Sequence, residues 1–135
     1  MAEYSSKSLI EKLGIKVGFK ILVVNAPKTY WKILGPLPEK TRQAGKSGPV
    51  DFIHFFSMEK TEYQKCLPGL KKRLAPSGML WVSWPKKAAK THADLDEKGV
   101  RDFALKTGLV DVKVCAVDET WSGLKLVIPV KDRKT

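Results

Sequence analysis

Phe19-Lys20-Ile21-Leu22-Val23-Val24, Val50-Asp51-Phe52-Ile53-His54-Phe55-Phe56 and Met79-Leu80-Trp81-Val82-Ser83-Trp84 are apolar runs, rich in β-branched and aromatic residues, with little alternation. A strand with one wet face alternates, so runs of this kind demand cover on both sides of a sheet. Helical patterns lie between them. Ser8-Leu9-Ile10-Glu11 has the form of a capping box and Gly14 closes the short helix that follows. Asn25-Ala26-Pro27 turns the chain into a short helix over Thr29 to Leu34, which Gly35-Pro36-Leu37-Pro38 ends. Thr61-Glu62-Tyr63-Gln64 offers a second capping box, and Tyr63, Cys66, Leu67, Leu70 and Leu74 share one helical face. Pro68 predicts a kink or a fresh start within that helix. Pro76-Ser77-Gly78 predicts a turn, and Asp94 predicts the cap of a further helix with Val100, Phe103 and Ala104 inward and Gly108 at its end.

Beyond Gly108, Val110, Val112, Val114 and Ala116 alternate with Asp111, Lys113 and Cys115, which predicts a strand near an edge. Leu124, Leu126, Ile128 and Val130 repeat the alternation, and the short link through Asp118 to Gly123 makes these last strands an antiparallel pair. A weak strand is expected around Lys40 to Ala44, and residues 131–135 are expected to form a loose tail. Strands alternating with helices imply an α/β, three-layer, Rossmann-like domain whose mostly parallel sheet carries an antiparallel C-terminal hairpin. At 135 residues the chain is expected to be a single α/β domain, 1–135, with any site built inside one core.

Apolar residues make up 43% of the chain, which supplies a core and excludes a disordered one. A net charge of +11 favours attraction to anions without naming one. Cys66 and Cys115 are too few for a disulfide framework, and His54 and His92 with no CxxC give no zinc spacing, so no metal and no cofactor are expected. Charged residues interrupt Met1 to Leu13 where a leader needs an apolar stretch, and no run reaches the about 18 apolar residues of a membrane span. A cytoplasmic protein with no membrane partner is expected.

Leu70-Lys71-Lys72-Arg73-Leu74-Ala75-Pro76-Ser77-Gly78-Met79-Leu80-Trp81-Val82 resembles the helix, Pro-x-Gly turn and strand in the second half of class I S-adenosylmethionine-dependent methyltransferases. Gly108-Leu109-Val110-Asp111-Val112 and the closing hairpin look like that family's final strand pair. Trp81-Val82-Ser83-Trp84-Pro85-Lys86-Lys87 with Gly108 to Leu126, reading GLVDVKVCAVDETWSGLKL, resembles short bacterial proteins known only as a domain of unknown function. The first resemblance implies a methyltransferase-like fold, and the second supplies no activity. In the methyltransferases the loop after the first strand is glycine-rich and an acidic residue ends the second. Here Asn25-Ala26-Pro27-Lys28-Thr29 has no glycine and Thr41-Arg42-Gln43-Ala44 has no carboxylate, so no functional residue carries over.

Ligands of open parallel sheets sit beyond the carboxyl ends of the strands. That rule gathers Asn25, Ala26 and Pro27, then Ser57, then Trp84, Pro85, Lys86 and Lys87, then Asp118, Glu119 and Trp121. Trp84 beside Lys86 and Lys87 suits an aromatic anion, or else packs beneath solvated lysines. Asp118 and Glu119 serve as acid and base, as turn residues, or as ion-pair partners of the lysines. Trp121 is either a wall of the site or a cover for the sheet edge. The ligand-binding set expected is Asn25, Trp84, Lys86, Lys87, Asp118, Glu119 and Trp121, with Trp84, Lys86, Glu119 and Trp121 around one cleft. His54, between Phe52 and Phe56, is expected to be a neutral core histidine. The function expected is a non-methylating binding domain for an anionic small molecule. The alternatives are an atypical S-adenosylmethionine-dependent methyltransferase and a nucleic-acid-binding protein using Lys71 to Arg73, Lys86 to Lys90 and Lys131 to Lys134.

Overall fold

A computed structural model of the chain describes residues 8–87 and 92–133. The elements run α1 (Leu9–Leu13), β1 (Lys20–Val24), α2 (Tyr30–Leu34), β2 (Arg42–Gln43), β3 (Val50–Phe56), α3 (Lys60–Arg73), β4 (Leu74–Pro85), α4 (Glu97–Thr107), β5 (Val110–Ala116) and β6 (Trp121–Val127). The strands form one sheet in the order β2-β1-β3-β4-β6-β5. Pairings from β2 through β4 are parallel, and β6 runs antiparallel to both β4 and β5. This is the mixed, Rossmann-like α/β sheet that the apolar runs predict.

Each face of the sheet carries its own core. Ile53, Phe55, Leu80, Val82 and Trp84 meet Tyr63 and Leu67 of α3 and Val100 and Ala104 of α4. Phe52, Phe56 and Trp81 meet Leu13, Tyr30 and Leu34 from α1 and α2 on the other face. Trp81 is fully buried, and its indole N–H donates to the Leu13 carbonyl at 2.9 Å, which anchors the end of α1 to the sheet. His54 is also fully buried, stacked on Phe56, with Tyr30 Oη 2.9 Å from Nδ1 and Ser83 Oγ 2.8 Å from Nε2. Both ring nitrogens are satisfied when Tyr30 donates to Nδ1 and Nε2–H donates to Ser83, and burial pushes the imidazole pKa down to about 3. It is the neutral core histidine expected.

The capping box Ser8/Glu11 and the left-handed Gly14 close α1 as predicted. Several expectations fail at long-range contacts. The Thr61 box does not form, because α3 already begins at Lys60 and its N-cap, Glu59, gives no side-chain cap. The Lys60 N–H instead donates to Asp94 Oδ1, 2.7 Å away and 34 residues on in sequence. Asp94 therefore does not cap α4; Asp96 does, accepting from the Gly99 N–H at 2.8 Å. Pro68 sits inside an unbroken α3, since the carbonyl it leaves without a partner belongs to exposed Gln64 and faces water. Pro76-Ser77-Gly78 lies within β4, as a bulge between its pairings Val50 with Leu74 and Phe52 with Met79. In β5, Val112 and Val114 are half exposed while Cys115 packs on the core, because a bulge between Asp111 and Lys113 shifts the alternation. Val130 lies in solvent rather than continuing β6, and Val130–Asp132 form a single 3-10 turn after which Arg133 Nε donates to the Ile128 carbonyl; residues 134–135 of the expected tail lie outside the described residues. No helix among the described residues is long and apolar enough to cross a membrane.

Candidate functional site

The carboxyl edge of the sheet presents two places where neighbouring loops part. One is the switch point between β1 and β3, whose following connections lead to opposite faces. There the backbone of Asn25 is left-handed, at φ 60°, and its Nδ2 donates to Glu62 Oε2 at 3.2 Å. Ser57 Oγ, nearly buried, donates to Glu62 Oε1 at 2.8 Å. Glu62 in the first turn of α3 thus bridges the loops after β1 and β3.

The second place is an open cleft of about 710 Å³ at the carboxyl end of β4, lined by Trp84, Lys86, Lys87, Asp94, Asp96 and Ser122 among others. Its floor is stitched together by backbone: the N–H groups of Asp94 and Leu95 both donate to the Met58 carbonyl, and Lys86 N–H donates to Thr120. The acidic groups around it are committed. Asp94 and Asp96 hold the N-termini of α3 and α4, and Glu97 pairs with Arg101. Lys98 pairs with Asp102 at 2.6 Å, which raises the ammonium pKa and lowers the carboxyl. Among the described residues, Lys86 and Lys87 have no carboxylate within ion-pair distance.

Of the residues predicted from sequence, Trp84, Lys86 and Lys87 line this cleft, and Asn25, Asp118, Glu119 and Trp121 do not. Asn25 belongs to the bridged switch point. Asp118 is a turn residue, its Oδ1 accepting from the N–H groups of Thr120 and Trp121 at 2.8 Å each. Glu119 is exposed. Trp84 and Trp121 lie at the same end of the sheet but on opposite faces. Pro85 pairs with Trp121 and Trp84 with Ser122, so Trp121 turns away to pack edge-on against Phe56. The expected single cleft around Trp84, Lys86, Glu119 and Trp121 is therefore replaced by one around Trp84, the lysines, Ser122 and the loop before α4. The missed residues had a weak signal: Ser122 follows from the hairpin register, and Asp96 from its spacing to Gly99. The Lys71 to Arg73 cluster is partly spent, since Lys71 Nζ donates to the Thr107 carbonyl and Arg73 Nε to that of Gly48.

Strand order, helix placement and the antiparallel β6 inserted beside β4 together define the fold of class I S-adenosylmethionine-dependent methyltransferases. Among solved structures, the chain is similar to magnesium protoporphyrin IX methyltransferase from Synechocystis, with TM-score 0.60 and 11% identity over 88% of this chain and 78% of that one. It is similar also to a SAM-dependent methyltransferase from Aquifex aeolicus, with TM-score 0.60 and 19% identity over 89% and 88%. A third neighbour is fibrillarin from Aeropyrum pernix, with TM-score 0.59 and 12% identity over 88% and 73%. No protein-family model and no curated protein sequence matches the chain.

S-adenosylmethionine, the cofactor that this fold implies, does not suit the residues present. The loop after β1 has no glycine to let backbone approach a ligand, Pro27 has no N–H to offer, and the Pro27 carbonyl is taken by the Tyr30 N–H at 3.0 Å. β2 is reduced to Arg42–Gln43 with no carboxylate after it, and Glu62 bridges the loops at the crevice.

Proposed function

We propose that the chain is a non-methylating binding domain on a methyltransferase-like scaffold, holding an anionic small molecule in the cleft at the end of β4. The observation that carries this reading is the pair of lysines lining that cleft: Lys86 and Lys87 have no carboxylate partner among the described residues, while Glu97 is paired with Arg101 and Asp94 and Asp96 are directed at the N-termini of α3 and α4. Trp84, buried in the core at the base of the cleft, adds an apolar boundary rather than an open stacking face.

Thermal-shift measurements across nucleoside mono-, di- and triphosphates and acidic metabolites test it. An anion should raise Tm, and Lys86→Ala should weaken that ligand about tenfold or more, the scale of a lost charged hydrogen bond. A panel that leaves Tm unmoved, or a shift that persists in a Lys86→Ala/Lys87→Ala variant, overturns the proposal. The fold itself favours a second reading, an atypical methyltransferase. Saturable micromolar binding of S-adenosylmethionine by calorimetry would put that reading first.

A further inference from the structure

A second basic feature lies on the opposite face of the sheet, away from the cleft. Lys125 of β6 pairs with Trp81 of β4 on one side and with Lys113 of β5 on the other, so all three side chains share the face that carries α1 and α2. The bond from Trp81 to the Leu13 carbonyl fixes the end of α1 beside them, bringing up Lys12 and Lys16. Cys115 sits among these cations, half-buried, its thiol raised by burial against the pull of Lys113 and Lys12. Burial, with Lys113 and Lys16 nearby, pushes the Lys125 ammonium down. Like charges directly across a strand pair destabilise it. Among the described residues no carboxylate pairs with any of these lysines; Asp111, the acid of β5, faces the other way and pairs with Arg101.

We propose that this face of β5 and β6, with Lys12, Lys16, Lys113 and Lys125, binds the phosphate backbone of nucleic acid without reading its sequence. The repulsion that the free protein tolerates is relieved when phosphates lie between the ammonium groups. Lysines are point charges on flexible stems, suited to successive phosphates rather than to one fixed anion. Lys113 and Lys125 stand side by side on the strand pair, with Lys12 of α1 and Lys16 just after it alongside. Base stacking has no platform here, since Trp81 is fully buried and Trp121 is packed on Phe56.

Fluorescence anisotropy with a short mixed-sequence duplex, titrated at several salt concentrations, tests this. Four phosphate contacts give a slope of log affinity against log salt of about −3.6, independent of sequence. Lys113→Gln/Lys125→Gln should roughly halve that slope while leaving Tm unchanged or higher, because a repulsion has been removed. Lys72→Gln, an exposed lysine of α3, should leave the slope as it was. The assignment is overturned by no binding at low salt, by salt-insensitive binding, or by equal slopes in the two variants. It is overturned also if pyrophosphate displaces the duplex at the concentration at which it stabilises the protein, which would mark a small-anion site.

Discussion

The two openings at the carboxyl edge differ in what their loops do with their polar groups. At the β1–β3 switch point, Asn25 and Ser57 spend theirs on Glu62, and the loops are drawn together. At the end of β4, Asp94 and Asp96 are spent on helix N-termini, and the cleft stays open with Lys86 and Lys87 unpaired among the described residues. The same scaffold thus ties together the loops at the crevice that ligands of such sheets ordinarily use and leaves a neighbouring one open. A fold of this kind fixes where loops diverge, and the loop side chains decide which divergence is a site.

The largest expected effect comes from the histidine beneath the bridged switch point. Unfolded, His54 takes a proton near its ordinary value of 6.5; folded, it resists protonation until about pH 3. Between those values the unfolded chain binds the extra proton. The stability is therefore complete above the higher value and falls by about 1.4 kcal/mol per pH unit as the solution is acidified. Denaturant melts across this range should show that slope in the parent and lose it in His54→Asn; equal slopes would mean the buried ring is not what titrates. Next comes the open cleft. Asp94→Ala removes a cap and should cost about 1 kcal/mol by urea midpoint, whereas Asp94→Asn should retain most of it.

Glu62→Ala acts on the bridge directly. The bonds it removes are partly exposed, so the stability loss should stay below about 1 kcal/mol. Calorimetry with S-adenosylmethionine should stay flat in this variant, because the loop after β1 still lacks glycine. Binding heat there would show that the bridge alone keeps the cofactor out. The smallest effect belongs to Lys86→Ala, which should leave Tm within the scatter of surface substitutions, about 0.5 kcal/mol. A larger loss would make Lys86 structural and weaken the contrast between the openings.

The fold was legible because burial on both faces leaves an unmistakable composition in Ile21 to Val24, Phe52 to Phe56 and Met79 to Trp84. Local caps were legible where both partners are neighbours, as at Ser8 and Glu11. Asp94 does not cap α4 as its place in the sequence predicts, because its partner, the Lys60 N–H, is supplied by tertiary structure and Asp96, two residues on, satisfies the local pattern equally well. The site was half legible. Sequence rules place Trp84 and Trp121 at one end of the sheet, but the face each takes depends on the register of β6 against β4, a long-range pairing that no local turn fixes. Glu62 gave no signal at all, since nothing in a helix's first turn says that its carboxylate spans two loops.

The bond between Asp94 and Lys60 has a mechanical consequence. It pins the first turn of α3, and that turn carries Glu62. The loop bordering the open cleft and the carboxylate bridging the loops after β1 and β3 are therefore joined through one helix turn. Amide exchange should record this as correlated protection of Lys60, Thr61 and Glu62 when the cleft is filled.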